Sequence, residues 1–134
     1  MRNKKVLIVD DEMDMRIFIS TLLETNGYRP IIATNGEEGI HKARKHKPAA
    51  IILDVLMPKS GGVQMYREVK TDENLKNIPV IMISAIAKKT FLHSMQMLNS
   101  HRGQTVPEPE GYIEKPPETE EFLEILEKCL SHTD

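Results

Sequence analysis

The 134-residue chain contains no tryptophan, three phenylalanines, three tyrosines and a single cysteine, Cys129. One cysteine excludes an internal disulfide framework and fits a reducing, cytoplasmic setting. Cys129 lies on a stretch that reads as helix with apolar neighbours, so it is a small core or boundary residue rather than a nucleophile. Charge of one sign is also lacking: eighteen Lys and Arg stand against twenty Asp and Glu, a net charge of -2. That balance gives no electrostatic case for nucleic acid or an acidic membrane as the main partner. No apolar run approaches the ~18 residues needed to cross a bilayer, since Ile78 to Ala87 is interrupted by Pro79 and Ser84. The basic start followed by Val6-Leu7-Ile8-Val9 runs directly into Asp10-Asp11-Glu12, too short for a secretion signal. Repeats and low-complexity tails are absent. What remains is one domain's worth of chain, large enough to fold on its core alone.

Val6-Leu7-Ile8-Val9 is a continuous, largely β-branched run, the pattern of a strand covered on both faces. The spacing then changes to three and four, with Met15, Phe18 or Ile19, and Leu22 as the apolar stripe of a helix ended by Gly27. A short strand over Pro30 to Ala33 leads to a helix capped by Thr34 or Asn35, with Glu37 and Glu38 in its first turn. Ala49 to Leu53 predicts a third buried strand ending at Asp54. Met57 to Gly62 is loop chemistry, and Val63 to about Lys70 a short helix. Pro79 to Ile83 predicts a fourth strand stopping at Ser84, followed by a helix over Lys88 to Asn99 and an irregular stretch from His101 to Gly111. Tyr112-Ile113 is a brief fifth strand, and Thr119 opens a helix with Phe122, Leu126 and Leu130 on one side. The eight methionines are expected in the core, and the five histidines, which lack metal-ligand spacing, on the surface.

Apolar strands alternating with helices define an α/β domain with a parallel sheet covered on both faces. Ligands of such sheets sit beyond the carboxyl ends of the strands. Those ends hold Asp10-Asp11, Asp54, Ser84 and Lys115. Singly, each has an ordinary role: a helix cap, a turn residue, a chain-end hydroxyl, a solvated lysine. Together at one sheet edge they form a site. Three carboxylates in a cleft raise one another's pKa unless a cation neutralises them. Oxygen ligands without His or Cys suit Mg²⁺ or Mn²⁺. A carboxylate, a metal, an ammonium and a hydroxyl together can hold a phosphoryl group.

Val6 to Asp11, Asp54-Val55-Leu56-Met57-Pro58 with Gly62 after it, Ser84-Ala85 and Lys115-Pro116 occur in the order found in one family. In them the chain resembles, over almost its whole length, the receiver domain of bacterial two-component response regulators, including the single-domain chemotaxis regulator. The resemblance implies a doubly wound, flavodoxin-like fold of five parallel strands in order 2-1-3-4-5 flanked by five helices, in a single receiver domain over residues 1–134 without an output domain. It implies Asp54 as phosphoacceptor. Asp10, Asp11, Asp54 and the backbone carbonyl of Leu56 would be the Mg²⁺ ligands, Ser84 and Lys115 the phosphoryl contacts, and Tyr112 the residue that fills space when Ser84 moves. Ala85 is small enough to let the phosphoryl group approach, and Lys115-Pro116 is expected to be cis. The donor it implies is a histidine kinase or phosphotransfer protein, and the target-binding face is helix 4–strand 5–helix 5. No enzymatic activity beyond the protein's own phosphorylation and dephosphorylation is implied. Leu56 and Ile86, both bulky, are expected to shield the acyl phosphate from water. Three features depart from the family pattern: the long interval from Ser84 to Lys115, Pro117 after Lys115-Pro116, and Ser60 in the loop after Asp54.

Two other classes compete. A haloacid-dehalogenase-type phosphatase would use Asp10 as nucleophile and Glu12 as acid, but it leaves Asp54 without a task and needs an acidic pair after the lysine where a helix opens. A receiver-like module that signals without phosphorylation would not need all five site residues intact.

Overall fold

The computed structural model describes residues 3–56, 61–102 and 106–131, the side chains of 98 and 100–102 excepted. The elements run β1 (Lys5–Val9), α1 (Met13–Thr25), β2 (Arg29–Ala33), α2 (Gly36–His46), β3 (Ala50–Asp54), α3 (Gly62–Thr71), β4 (Val80–Ser84), α4 (Lys88–Arg102), β5 (Gly111–Glu114) and α5 (Thr119–Ser131). The five strands form one parallel sheet in the order β2-β1-β3-β4-β5.

Successive strand residues point to opposite faces, so an unbroken apolar run feeds two cores. Val6 and Ile8 pack with Ile19, Leu23, Phe122 and Leu126 on the face covered by α1 and α5. Leu7 and Val9 pack with Ile40, Met65, Val69 and Phe91 on the face covered by α2, α3 and α4. Among the described residues no helix is long and apolar enough to cross a membrane.

Local chemistry explains the helix ends. The Asn35 side chain accepts the Glu38 N–H at 2.8 Å, and Glu38 in turn accepts the Thr34 N–H at 2.7 Å. Asn35 is therefore the cap of α2, and Glu38 secures the chain entering it. Gly27, at φ 86°, takes the left-handed turn that leads out of α1. In the α1 stripe Ile19, not Phe18, is the buried alternative: Ile19 and Leu23 are fully buried, Met15 and Leu22 are half-buried against the same core, and Phe18 is exposed. The methionines divide similarly, with Met65 and Met82 in the core but Met13 and Met97 exposed. Methionine tolerates both settings because its cost of exposure is small and its flexibility high.

The long interval before β5 is anchored rather than loose where it is described. Asn99 exchanges two hydrogen bonds with the Val106 backbone, each 3.2 Å. The Tyr66 hydroxyl donates to the Pro107 carbonyl. Lys70, buried on α3, donates to both carboxylate oxygens of Glu110 at 2.9 Å, and Glu110 also accepts the Val80 N–H. The segment 106–110 thus straps α3 to the start of β4 and to α4. The Met57-Pro58-Lys59-Ser60 loop expected from the sequence lies outside the described residues.

Candidate functional site

Parallel register brings the functional side chains together. Val9 pairs with Leu53, Asp54 with Ile83, and Ser84 with Glu114, so Asp10, Asp54, Ser84 and Lys115 emerge at one sheet edge. Asp10, Asp54 and Ser84 are almost wholly buried. Asp54 Oδ1 accepts the Leu56 N–H at 2.9 Å, and its Oδ2 accepts from Lys115 Nζ at 3.0 Å. Asp10 Oδ1 accepts the Glu12 N–H at 2.9 Å. Asp10 Oδ2 is buried and accepts no hydrogen bond, with Lys115 Nζ 3.4 Å away. Lys115 also pairs with Glu12 Oε1. Ser84 Oγ accepts the Ile86 N–H at 3.0 Å. The Tyr112 hydroxyl donates to the Ile86 carbonyl at 2.7 Å, and its ring packs on Phe91 with centroids 5.4 Å apart. The Lys115-Pro116 peptide is cis, as the resemblance implied.

Electrostatics follow from this crowding. Burial raises the Asp10 pKa to about 6; the Glu12 N–H opposes the rise, Asp54 adds to it and Lys115 counters it. For Lys115 burial alone would lower the pKa, but bonds to Glu12 and Asp54 and the charge of Asp10 outweigh that and hold it well above the ordinary lysine range. One ammonium is thus shared by three carboxylates. Carboxylate oxygens of Asp10, Glu12 and Asp54 all lie within 4.8 Å of one another. An orphaned, buried carboxylate oxygen in an all-oxygen donor set fits a hard divalent cation.

Not every expected ligand joins the group. Asp11 is exposed and lies outside it, whereas Glu12, not expected as a ligand from the sequence, lies inside it. Glu12 is the N-cap of α1, yet its side chain makes no cap bond and reaches Lys115 instead. Its position two residues beyond Asp10 is the only signal the sequence holds for it.

Gly62 sets the distance between α3 and the end of β3. A Cβ there would meet the Asp54 carbonyl at 2.7 Å and the Val55 carbonyl at 3.0 Å. Both are backbone atoms and cannot step aside without moving Asp54. Gly62→Ala is expected to cost about 1–3 kcal/mol of stability, as overpacking does, and to slow phosphoryl uptake. Urea unfolding and intact-mass kinetics on the same sample check both effects.

A fold of this order, with an acidic cleft and a lysine at the carboxyl edge of its sheet, defines a class. The model of the response regulator receiver domain matches residues 6–127. The chain belongs to that family. It is 33% identical over 128 residues to the polar-differentiation response regulator DivK of Brucella anthropi, covering 95% of this chain and 96% of that protein. The chemotaxis protein CheY4 of Vibrio cholerae superposes with a TM-score of 0.77 at 29% identity, covering 96% of this chain and 99% of that one. The receiver domain of a signal transduction histidine kinase from Syntrophus aciditrophicus matches at 26% identity and a TM-score of 0.76, covering 96% and 91%. The protein is therefore a receiver of two-component signalling, a signalling protein rather than an enzyme acting on separate substrates. The dehalogenase-type reading falls with this assignment, and no observation favours a phosphorylation-independent module.

Proposed function

We propose that Asp54 is the phosphoacceptor and that its phosphorylation by a histidine kinase or phosphotransfer protein depends on Mg²⁺. The observation that carries this reading is the convergence of Asp54, Asp10 and Lys115 in one buried cleft, with an Asp10 oxygen left without a hydrogen bond. Asp10, Asp54 and the Leu56 carbonyl would hold the ion. Asp11, exposed and next to Asp10 in the chain, is the further carboxylate we assign to it. When bound, the ion offsets the negative charge of the transferring phosphoryl group. An Asp54 oxygen forms the new bond to phosphorus as the bond from phosphorus to the donor imidazole breaks. Lys115, fixed by burial and three carboxylates, exchanges Glu12 for phosphoryl oxygens, which keeps a counter-charge at the site throughout.

Ser84 turns its hydroxyl from the Ile86 N–H toward the phosphoryl oxygens, and Tyr112 follows through its bond to Ile86. This alters the face formed by α4, β5 and α5, where we place the target protein. Beyond its own phosphorylation and dephosphorylation we assign the protein no catalysis. On the same reading it works in the cytoplasm, alongside its phosphohistidine donor.

The test is mass spectrometry of the intact chain after incubation with acetyl phosphate and MgCl₂. One phosphoryl group is expected, not formed when EDTA replaces MgCl₂ and removed by mild alkaline hydroxylamine. An unchanged mass with acetyl phosphate and with a panel of phosphorylated histidine kinases overturns the reading.

The donor meets the protein on α1. Met13 and Ile17 are 62% and 55% exposed, one turn apart at the start of α1 directly after Glu12, and Phe18 is exposed beside them. Large apolar side chains so exposed mark an interaction surface. Ile17→Lys is expected to slow transfer from a phosphorylated kinase by about 10-fold or more while leaving uptake from acetyl phosphate unchanged. Equal rates from the kinase would place the donor elsewhere.

A further inference from the structure

Lys115 Nζ donates to Glu12 Oε1 and to Asp54 Oδ2, and Asp10 Oδ2 stands 3.4 Å from the same nitrogen. An ammonium carries three N–H donors, so three carboxylates are as many partners as it can bond. A phosphoryl oxygen gains Lys115 only where one of them gives way. Asp10 and Asp54 are poorly placed to do so: both side chains are almost wholly buried, and each has its other oxygen held by a backbone N–H at 2.9 Å. Glu12 is different. Its side chain is 59% exposed, so a carboxylate that leaves Lys115 regains water at little cost. Its backbone carbonyl accepts the Arg16 N–H as the first bond of α1, while its side chain makes no cap bond. Released, the charge remains by the amino end of α1, which favours it.

We propose that Glu12 is a tethered anion that competes with the phosphoryl group for Lys115 and so limits how tightly the cleft holds it. Glu12 is thus a positioning residue, acting on phosphoryl binding through the ammonium. The inference rests on Asp54 as phosphoacceptor and Lys115 as its phosphoryl contact, as read above. It fixes the sign of the effect. Removing a ligand or a structural support weakens binding, whereas removing a competitor strengthens it.

The probe is beryllofluoride, whose fluorines stand in for phosphoryl oxygens, titrated with MgCl₂ present and followed by fluorine NMR. Glu12→Gln and Glu12→Asp are both expected to bind it about threefold to tenfold more tightly than the wild type. The first gives up the charge. The second keeps it, but is one methylene shorter and makes a better helix cap. Asp14→Asn removes an equal charge from an exposed position in the first turn of α1 and should leave the affinity unchanged. In metal-free protein with EDTA, the nitrogen resonance of the Lys115 ammonium should move in both Glu12 variants and stay in place in Asp14→Asn. Unchanged or weaker beryllofluoride binding in either Glu12 variant, or an equal gain in Asp14→Asn, overturns the proposal and leaves the phosphoacceptor reading intact. A Lys115 resonance that does not move in Glu12→Gln overturns the contact itself. No beryllofluoride binding by the wild type overturns the functional reading, and this inference with it.

Discussion

The Asp54→Asn protein takes up no phosphoryl group from either acetyl phosphate or a phosphorylated kinase, while remaining folded. Asparagine keeps the shape of the side chain and an oxygen for the Leu56 N–H, which Asp54 accepts at 2.9 Å. What it removes is the charged oxygen that Lys115 holds at 3.0 Å and that must bond to phosphorus. An amide oxygen in that place is a poor nucleophile and carries no charge for a cation to share. The loss is therefore complete rather than graded, and intact-mass spectrometry over hours reads it directly. Uptake at an undiminished rate would move the phosphoacceptor to another carboxylate, Asp10 being the next in the cleft. Because the chain has no tryptophan, the folded state of the variant is best checked by circular dichroism and melting.

Asp10→Asn is expected to do two opposite things: strengthen the metal-free fold and weaken its response to Mg²⁺. The Asp10 carboxyl rises from 3.8 to about 6 on folding, chiefly because burial penalises its charge. A folded-state pKa above the unfolded one means that the native state binds more protons between about pH 4 and pH 6. Stability conferred by the neutral carboxyl is thus full below pH 4, falls as pH rises through that window, and stays lost above it. At about 1.4 kcal/mol per pKa unit, ionised Asp10 costs the metal-free protein about 3 kcal/mol at neutral pH. Asparagine removes that charge, so the variant should be more stable by about 1–3 kcal/mol at pH 7.5, with the gain gone by about pH 4. Urea titrations with EDTA at several pH values measure it. In the wild type, added Mg²⁺ should raise the melting point in proportion to its binding, and less so below pH 6, where protons compete for the same oxygen. The variant should show little of this stabilisation. A variant less stable than wild type at neutral pH would mean that Lys115 and the neighbouring N–H groups repay the burial of Asp10 in full.

Both expectations depend on one geometric fact: a single ammonium serves three carboxylates. Mutating Lys115 therefore conflates two effects, the loss of the proposed phosphoryl contact and the unmasking of repulsion among Asp10, Glu12 and Asp54, whereas the two carboxylate variants separate them.

Much of this was legible in the amino-acid order, because the features concerned are local. An apolar β-branched run makes a strand whatever surrounds it, and alternation with helices leaves few ways to cover both faces. Asp10, Asp54, Ser84 and Lys115 follow such runs, so a parallel sheet had to gather them. The Asn35 cap and the Gly27 turn were equally local. The rest needed distances between residues far apart in the chain. That Glu12 reaches Lys115 while Asp11 stays exposed depends on the turn before α1, which no periodicity encodes. That Ile19 rather than Phe18 faces the core, with Leu23 buried more deeply than Leu22, depends on how α1 rolls against the sheet. The bonds of Lys70 to Glu110 and of Tyr66 to Pro107 join residues some forty positions apart. They decide that the described stretch 106–110 before β5 is held against α3 as a strap. The linear order settles what each segment can be; long-range packing and the sharing of one buried charge settle what the segments do to one another.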